Sequence, residues 1–224
     1  MKNILIGGDS WTYGYDVDES ERWSSHIHNA TIANTAKSGA DNKSIANAIE
    51  QEHVRNTHGF DLIIVVWSSM SRVSGKGQFV NERDRKKLKN VSLRDMIMDF
   101  GKQVRIVEDL GTPVLHCTVF GDNFPFNVKH YHPTSMLEYL SRLSGYEWYL
   151  KIPFYESGML HKDNEEFTKT FADKYFQDDW KYAIMEREMV MIDKCFDYFL
   201  PCGHPNPEGH KQWSHVINER IREL

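Results

Sequence analysis

The chain has 224 residues, of which 40% are apolar and 26% are charged, the balance of an ordinary globular protein. This length supports a full hydrophobic core, and we expect a single domain that spans residues 1–224. The net charge of −5 argues against nucleic acid as a partner, because phosphate binding requires a basic surface.

The cysteines and the N-terminus both indicate an intracellular protein. Cys117, Cys195 and Cys202 form no CxxC pair and are odd in number, which indicates reduced thiols. The run Ile4–Ile6 near the N-terminus is too short for a signal-peptide core or a membrane span. We therefore expect a cytoplasmic protein with no membrane partner.

Short apolar runs alternate with helical patterns along the chain, which predicts an α/β fold with a parallel sheet. The run at 62–66 is apolar without alternation, as expected for a central strand covered on both faces. Other predicted strands lie at 4–6, 31–36 and 114–120, and a run at 196–200 fits either a fifth strand or the end of a helix.

Helices are predicted between these strands. Asp41 or Asn42 can cap one helix, and residues 94–110 show helical spacing. The last helix has Asn206 as its N-cap and Pro207 at its first position. The aromatic-rich stretch 120–182 is predicted to be a helical insertion, either a lid over a site or a core of its own.

Polar residues that could perform acyl transfer follow the predicted strands. Ligands of open α/β sheets bind at the carboxyl ends of the strands. Ser10 follows two glycines at a strand end, Gly39 precedes a helix start, and His204 precedes the C-terminal helix. A serine, a histidine base and free N–H groups are the parts that acyl transfer requires.

Three segments, in chain order, resemble the sequence blocks of SGNH (GDSL-like) hydrolases. Gly7-Gly8-Asp9-Ser10 resembles the first block, and Asn34-Thr35-Ala36-Lys37-Ser38-Gly39 resembles the second, which supplies an oxyanion-hole glycine. His204-Pro205-Asn206-Pro207-Glu208-Gly209-His210 resembles the last. The resemblance implies a flavodoxin-like three-layer fold with a five-stranded parallel sheet, and hydrolysis of esters, thioesters or O-acetyl groups without a metal or organic cofactor.

The third block departs from the family pattern, GxND, whose asparagine donates to the oxyanion. If Val66 takes the place of the glycine, Ser68 takes that of the asparagine, and its hydroxyl can still donate. The run from Trp67 to Arg72 resembles a variant in small phage-encoded members, which would place the protein in an infected host cell.

The catalytic acid also departs from the family pattern, DxxH. Pro201 stands three residues before His204, where the family has aspartate. The resemblance then implies a Ser–His dyad in which a backbone carbonyl holds the imidazole, with Asp197 as the second choice.

Each candidate residue also has a purely structural interpretation. Asp9 and Ser10 can cap a helix, Gly39 can serve an ordinary turn, and Ser68 can satisfy local backbone. His210 shares a helix face with apolar residues and is predicted to be a hydrogen-bonded core histidine.

Four residues near the strand ends are predicted to bind substrate, although a helix cap would also explain Asn42 and a surface ion pair would explain Arg72. They are Asp9, Asn42, Trp67 and Arg72.

Other kinds of site have little support in the sequence. His26 with His28, and His130 with His132, could each offer two metal ligands, but no third ligand is evident. The basic run 83–89 is interrupted by an acid and fits a solvated surface.

We therefore predict a serine esterase in which Ser10 attacks a small-molecule or carbohydrate ester and His204 is the general base. Ser10, Gly39 and Ser68 would form the oxyanion hole. Two alternatives keep the fold: a binding or structural protein with an impaired site, or an acyltransferase that uses the same serine. A flavodoxin-like cofactor binder is more remote, because the sequence has no phosphate-binding loop.

Overall fold

A computed structural model describes residues 1–69, 93–120, 124, 126–144, 197–200 and 203–224. Within these ranges, four parallel strands form one sheet in the order β2-β1-β3-β4. The strands are β1 (Lys2–Gly8), β2 (Ala30–Asn34), β3 (Leu62–Trp67) and β4 (Val114–Thr118).

The helices of the described residues are α1 (Ser10–Tyr13), α2 (Asn42–Arg55), α3 (Leu93–Glu108), α4 (Met136–Leu143) and α5 (Pro207–Glu223). Two 3₁₀ turns, Glu19–Glu21 and Trp23–His26, precede β2. None of the helices in these ranges combines the length and apolar character needed to cross a membrane.

The sheet is covered by helices on both faces, which confirms the predicted three-layer α/β class. Every residue of β3 is buried, and its side chains alternate between two core clusters. One cluster packs β3 against α2 and α3, and the other packs it against α1, α4 and α5. Burial of each large apolar side chain contributes roughly 1.5–3 kcal/mol, so both helical layers stabilise the same central strand.

The order of the strands places a topological switch point beside β1. The chain leaves β1 for β2 on one side and then crosses to β3 on the other side. The strand order therefore reverses between β1 and β3, the position at which open α/β sheets bind ligands. The segments after Gly8 and Trp67 meet at this edge, because Gly8 pairs in register with Val66.

The start of the last helix agrees with its predicted signals. The Asn206 side chain accepts a hydrogen bond from the Gly209 N–H at 2.8 Å, and Pro207 is the first helical residue. The Asn206 N–H donates to the Tyr198 carbonyl at 2.9 Å. A side chain at Gly209 would collide with that carbonyl, so the glycine allows the helix to approach the preceding segment closely.

The segment 197–200 is a turn with one isolated bridge and not the fifth strand considered for 196–200. The Leu200 N–H donates to the His204 carbonyl at 2.7 Å, and the Gly203 N–H donates back to Leu200 at 2.9 Å. These bonds reverse the chain before it can extend. Phe196 and most of the predicted insertion, 145–182, lie outside the described residues.

Within the predicted insertion, the described helix α4 packs into the main core. Met136, Leu137 and Leu140 are buried in the cluster that also contains α5. This part of the insertion therefore contributes to the main core and not to a core of its own. That residues 1–224 form one domain stays a prediction.

The buried His210 is expected to make the fold sensitive to acid. Burial, together with the smaller effects of nearby Arg22, His26 and His204, lowers its pKa to about 3. In the unfolded chain this histidine binds a proton below about pH 6.5, whereas in the folded chain it stays neutral until the pH is far lower. The contribution of neutral His210 to the free energy of unfolding is therefore full above pH 6.5 and is lost as the pH falls towards 3.

We predict that the decrease in unfolding free energy between pH 7.5 and 5.0 is smaller by about 2 kcal/mol in His210→Phe than in wild type. Urea unfolding at the two pH values measures this difference. His215→Gln, at an exposed position of the same helix, is the control and should keep the wild-type difference. An unchanged pH dependence in His210→Phe would contradict the assignment.

Candidate active site

The turn after β1 presents Ser10. Asp9 is extended and caps α1, with its Oδ1 accepting from the Trp11 N–H at 3.0 Å. Ser10 is the first residue of α1 and is 3% exposed. A side chain on Gly8 would collide with Thr12, so only glycine allows α1 to begin so close to the strand.

His204 meets Ser10 although the two residues are 194 positions apart. His204 Nε2 lies 2.9 Å from Ser10 Oγ, within hydrogen-bonding distance. The preceding segment is anchored by Phe199, which is buried and lies against Trp11 of α1 with ring centroids 5.5 Å apart. His204 is therefore held between a packed aromatic residue and the capped start of α5.

The loop after β2 brings Gly39 to the same edge. The Lys37 N–H donates to the Gly8 carbonyl at 3.1 Å, and the Ala40 N–H donates to Lys37 at 3.2 Å. Gly39 has a φ of 75°, a conformation that favours glycine. Within the described ranges, the backbone N–H groups of Ser10 and Gly39 have no acceptor, so both can donate to a bound oxyanion.

Ser68 is linked to Asp9 at the ends of the two central strands. The Ser68 hydroxyl donates to Asp9 Oδ2 at 2.8 Å, and both side chains are almost completely buried. In this arrangement its single proton points to Asp9 and not to the site where an oxyanion would form. Asp9, with both oxygens bonded and no exposed surface, is better suited to support than to the predicted substrate contact.

Asn42 supports the loop that contains Ser68. Its Oδ1 accepts from the Ser68 N–H at 2.9 Å, and its Nδ2 donates to the Ser68 carbonyl at 3.1 Å. Asp41 is the N-cap of α2 and accepts from Ser44, which decides between the two predicted caps. The Asn42 amide thus already has a partner for its oxygen and for its nitrogen. Its contact with substrate stays a prediction.

Trp67 faces the core and not the solvent. It is fully buried, and its Nε1 donates to His116 Nδ1 at 3.0 Å. His116 must then carry its proton on Nε2, which lies 2.6 Å from Glu108 Oε1. Burial lowers the pKa of His116, and the bond to Glu108 opposes that shift. Trp67 is thus a structural residue in this position, and Arg72 lies outside the described residues.

Asp197, the second choice for an acid that would hold His204, is not hydrogen-bonded to it in the described part of the chain. Asp197 is exposed, and its backbone carbonyl accepts from Asn206 Nδ2 at 3.0 Å. Pro201 lies outside the described residues. The dyad held by a backbone carbonyl therefore stays a prediction.

Among the described residues, His26 and His28 were also candidates for a site, and Cys117 carries a second kind of nucleophile. No group of three or more His, Cys, Asp or Glu side chains in the described ranges is arranged to hold a metal ion. The Asn218 side chain donates to the His26 carbonyl and accepts from the His28 N–H, so it holds the backbone of this pair. Burial raises the pKa of the Cys117 thiol to about 12, so it is not a competing nucleophile.

His210 is fully buried, as predicted, but its two ring nitrogens have no hydrogen-bond partner among the described residues. The prediction that the His210 ring is hydrogen-bonded is therefore wrong among the described residues. Arg22, His26 and His204 lie near it and, after burial, are the causes that lower its pKa.

Tyr15 belongs to the site, and the sequence analysis missed it. Its ring centroid lies 4.9 Å from that of His204, with an angle of 34° between the planes. Its N–H donates to the Ser10 carbonyl at 3.1 Å. Gly14 could have indicated this position, because a glycine one turn after Ser10 predicts an early end to the helix. In the structure its left-handed conformation ends α1 after one turn and brings the following residue back beside Ser10.

Comparison with known proteins finds likeness in structure and not in sequence. No protein-family model and no curated protein sequence matches the chain. The solved structures that it resembles include a lipolytic protein of the G-D-S-L family from Veillonella parvula, with 13% identity, a TM-score of 0.48 and full coverage of both chains.

Two others are the psychrotrophic esterase EstA from Pseudoalteromonas sp. and a lipase/acylhydrolase from Enterococcus faecalis. The identities are 8% and 12%, and each TM-score is 0.47. Each match covers 100% of this chain and 96% of the other. Likeness at this level does not determine an activity, which has to be argued from the geometry of the site.

Loss of the Asn42 amide should destabilise the site. Asn42→Ala removes two hydrogen bonds to Ser68, and we expect the free energy of unfolding to fall by about 1–3 kcal/mol because buried backbone groups lose their partners. Thermal unfolding measures this as a decrease in Tm of several degrees. Lys43→Ala, one residue later at an exposed position, should leave Tm within a degree or so, and an equal decrease there would assign the effect to the helix.

Proposed function

We propose that this protein is a serine hydrolase that cleaves carboxylic esters or O-acetyl groups through an acyl-enzyme intermediate. The observation that carries the proposal is the 2.9 Å separation between Ser10 Oγ and His204 Nε2. A serine hydroxyl at this distance from an imidazole nitrogen is the arrangement that nucleophilic catalysis by serine requires.

In the first half of the reaction, Ser10 Oγ attacks the ester carbonyl carbon while its proton passes to His204 Nε2. For Nε2 to accept this proton, neutral His204 must carry its own proton on Nδ1. The tetrahedral intermediate collapses when the bond to the leaving alkoxide breaks, and His204 returns the proton to that oxygen. Water then repeats the sequence on the acyl-serine and releases the acid.

The negative charge of the intermediate is stabilised by the backbone N–H groups of Ser10 and Gly39. Both groups lack an acceptor among the described residues, so they can donate without first breaking a bond. Such preorganised donors can each contribute about 100- to 1,000-fold to the rate. Ser68 joins them only if its hydroxyl turns away from Asp9, so its contribution to the oxyanion hole is the weakest of the three.

The orientation of His204 depends on the segment before α5. The family resemblance implies a carboxylate at position 201, but this chain has proline there. A backbone carbonyl is our proposed acceptor for the Nδ1 proton, in a dyad with no acid. The proposed substrates are small-molecule or carbohydrate esters that reach Ser10 at the edge between β1 and β3.

The test is hydrolysis of p-nitrophenyl acetate, combined with labelling by a fluorophosphonate and mass spectrometry. We expect wild type to turn over and to gain the probe mass at Ser10. Ser10→Ala and His204→Asn should lose at least about 1,000-fold in kcat/KM, because the nucleophile and base act as a unit. His215→Asn, at an exposed position of α5, should retain wild-type activity.

Wild type that neither turns over nor takes the label at Ser10 would contradict the proposal and favour a binding or structural protein with an impaired site. Turnover that survives in Ser10→Ala would place the activity elsewhere. If added alcohol diverts the acyl group from acid to a new ester, the same serine serves an acyltransferase.

A further inference from the structure

Tyr15 contacts both halves of the serine–histidine pair, although nothing in the proposed chemistry uses it. Its N–H donates to the carbonyl of Ser10 at 3.1 Å, and its ring lies against the imidazole of His204 with centroids 4.9 Å apart. The position of the ring is therefore tied to the backbone of the nucleophile.

The backbone around Tyr15 is shaped to place this ring. Gly14 and Asp16, on either side, have positive φ values of 75° and 59°. The Gly14 N–H also donates to the Ser10 carbonyl, at 3.0 Å, so α1 ends after a single turn. A side chain at Gly14 would come within 2.5 Å of Arg22, which makes the tight reversal dependent on glycine. Asp16 also adopts the left-handed conformation, which aspartate tolerates better than most residues other than glycine.

We propose that Tyr15 is a positioning residue for His204, whose ring holds the imidazole plane and stabilises the imidazolium that forms when Ser10 loses its proton. This inference rests on the proposed function, since the imidazolium forms only if His204 is the base. An aromatic face within about 6 Å attracts a cation through its quadrupole. The tilted ring contact also restricts rotation of the imidazole, which keeps Nε2 directed at Ser10 Oγ.

The chain has a reason to use an aromatic ring here. The family that it resembles orients its histidine with an aspartate three residues earlier, and this chain has Pro201 at that position. Of the described titratable groups, His210 also lies near His204, but burial lowers its pKa to about 3 and keeps it neutral. Tyr15 is 41% exposed, so its ring can serve His204 without being required for the core.

Tyr13, the last residue of α1, provides a matched control. Tyr13 is 39% exposed, two residues before Tyr15, and its ring faces Arg22 at 4.6 Å from the guanidinium carbon. Tyr13→Leu therefore removes an equally exposed tyrosine that does not contact His204. Tyr15→Leu removes the aromatic face, and Tyr15→Phe keeps the face and removes the hydroxyl.

The kinetic experiment measures kcat and KM for p-nitrophenyl acetate and the rate of fluorophosphonate labelling of Ser10. We expect Tyr15→Leu to lower kcat and the labelling rate by about 2- to 30-fold with KM little changed. Tyr15→Phe should recover the lost rate, and Tyr13→Leu should match wild type. A rise in KM alone would make Tyr15 a substrate contact and overturn the inference, as would an equal loss in Tyr15→Phe or in Tyr13→Leu.

A second measurement separates this inference from the proposed function. NMR titration of the histidine side chains follows His204 directly, and its signal is identified by its loss in His204→Asn. Tyr15→Leu should lower the pKa of His204 by about half a unit to one unit, whereas Tyr15→Phe should not. An unchanged pKa in Tyr15→Leu would overturn the inference even in an active enzyme. If Tyr15→Leu lowers the pKa of His204 but Ser10 is never acylated, the proposed function and the catalytic role of Tyr15 are contradicted. The stabilisation of the His204 imidazolium by Tyr15 would still stand.

Discussion

A buried hydrogen bond between Asp9 and Ser68 joins the ends of the two central strands, and the geometry of the site depends on it. Because β1 and β3 are parallel neighbours, the turns that follow them lie side by side at one edge of the sheet. Asp9 uses one oxygen to cap α1 and the other to accept from Ser68 at 2.8 Å. Asn42 then holds the backbone of Ser68 on both sides. Three loops are thus joined below the nucleophile by bonds that bulk solvent cannot weaken, because the groups are buried.

This arrangement explains how the site accommodates a serine where the sequence blocks that it resembles have asparagine. A serine at position 68 is shorter than the asparagine of the third block, and its hydroxyl serves Asp9 in this structure. The structure therefore supports the structural role of Ser68, whereas a role in the oxyanion hole would require its hydroxyl to turn away from Asp9. The backbone N–H groups of Ser10 and Gly39 carry no such conflict, which is why we propose them as the stronger oxyanion donors.

The histidine side of the site is built by a different part of the chain. Phe199 packs on Trp11, Asn206 caps α5, and the bond between Asn206 and Tyr198 joins the two. His204 lies between these anchors and meets Ser10 from above the sheet edge. Tyr15 adds a third contact from the nucleophile's own turn, so each member of the pair is positioned partly by the segment that carries the other.

The sequence alone was sufficient for features that depend on short-range chemistry. The apolar run at 62–66 indicated a central buried strand, Asn206-Pro207 indicated the start of the last helix, and Gly8 indicated a tight turn before Ser10. These features follow from local side-chain properties, so no distant contact had to be known. The order of the blocks also predicted which serine and which histidine would face each other.

Only the tertiary structure decided what depends on contacts between distant residues. Asn42 begins α2 and Trp67 ends β3, both near the site, yet Asn42 is bonded to Ser68 and Trp67 points into the core. The turn at 197–200 and the position of Tyr15 over His204 were equally hidden, because they are set by packing across the sheet. Residue type and spacing determined which groups reach the edge of the sheet. The partners that the fold brings to each group determined whether it faces substrate, supports a neighbour or fills the core.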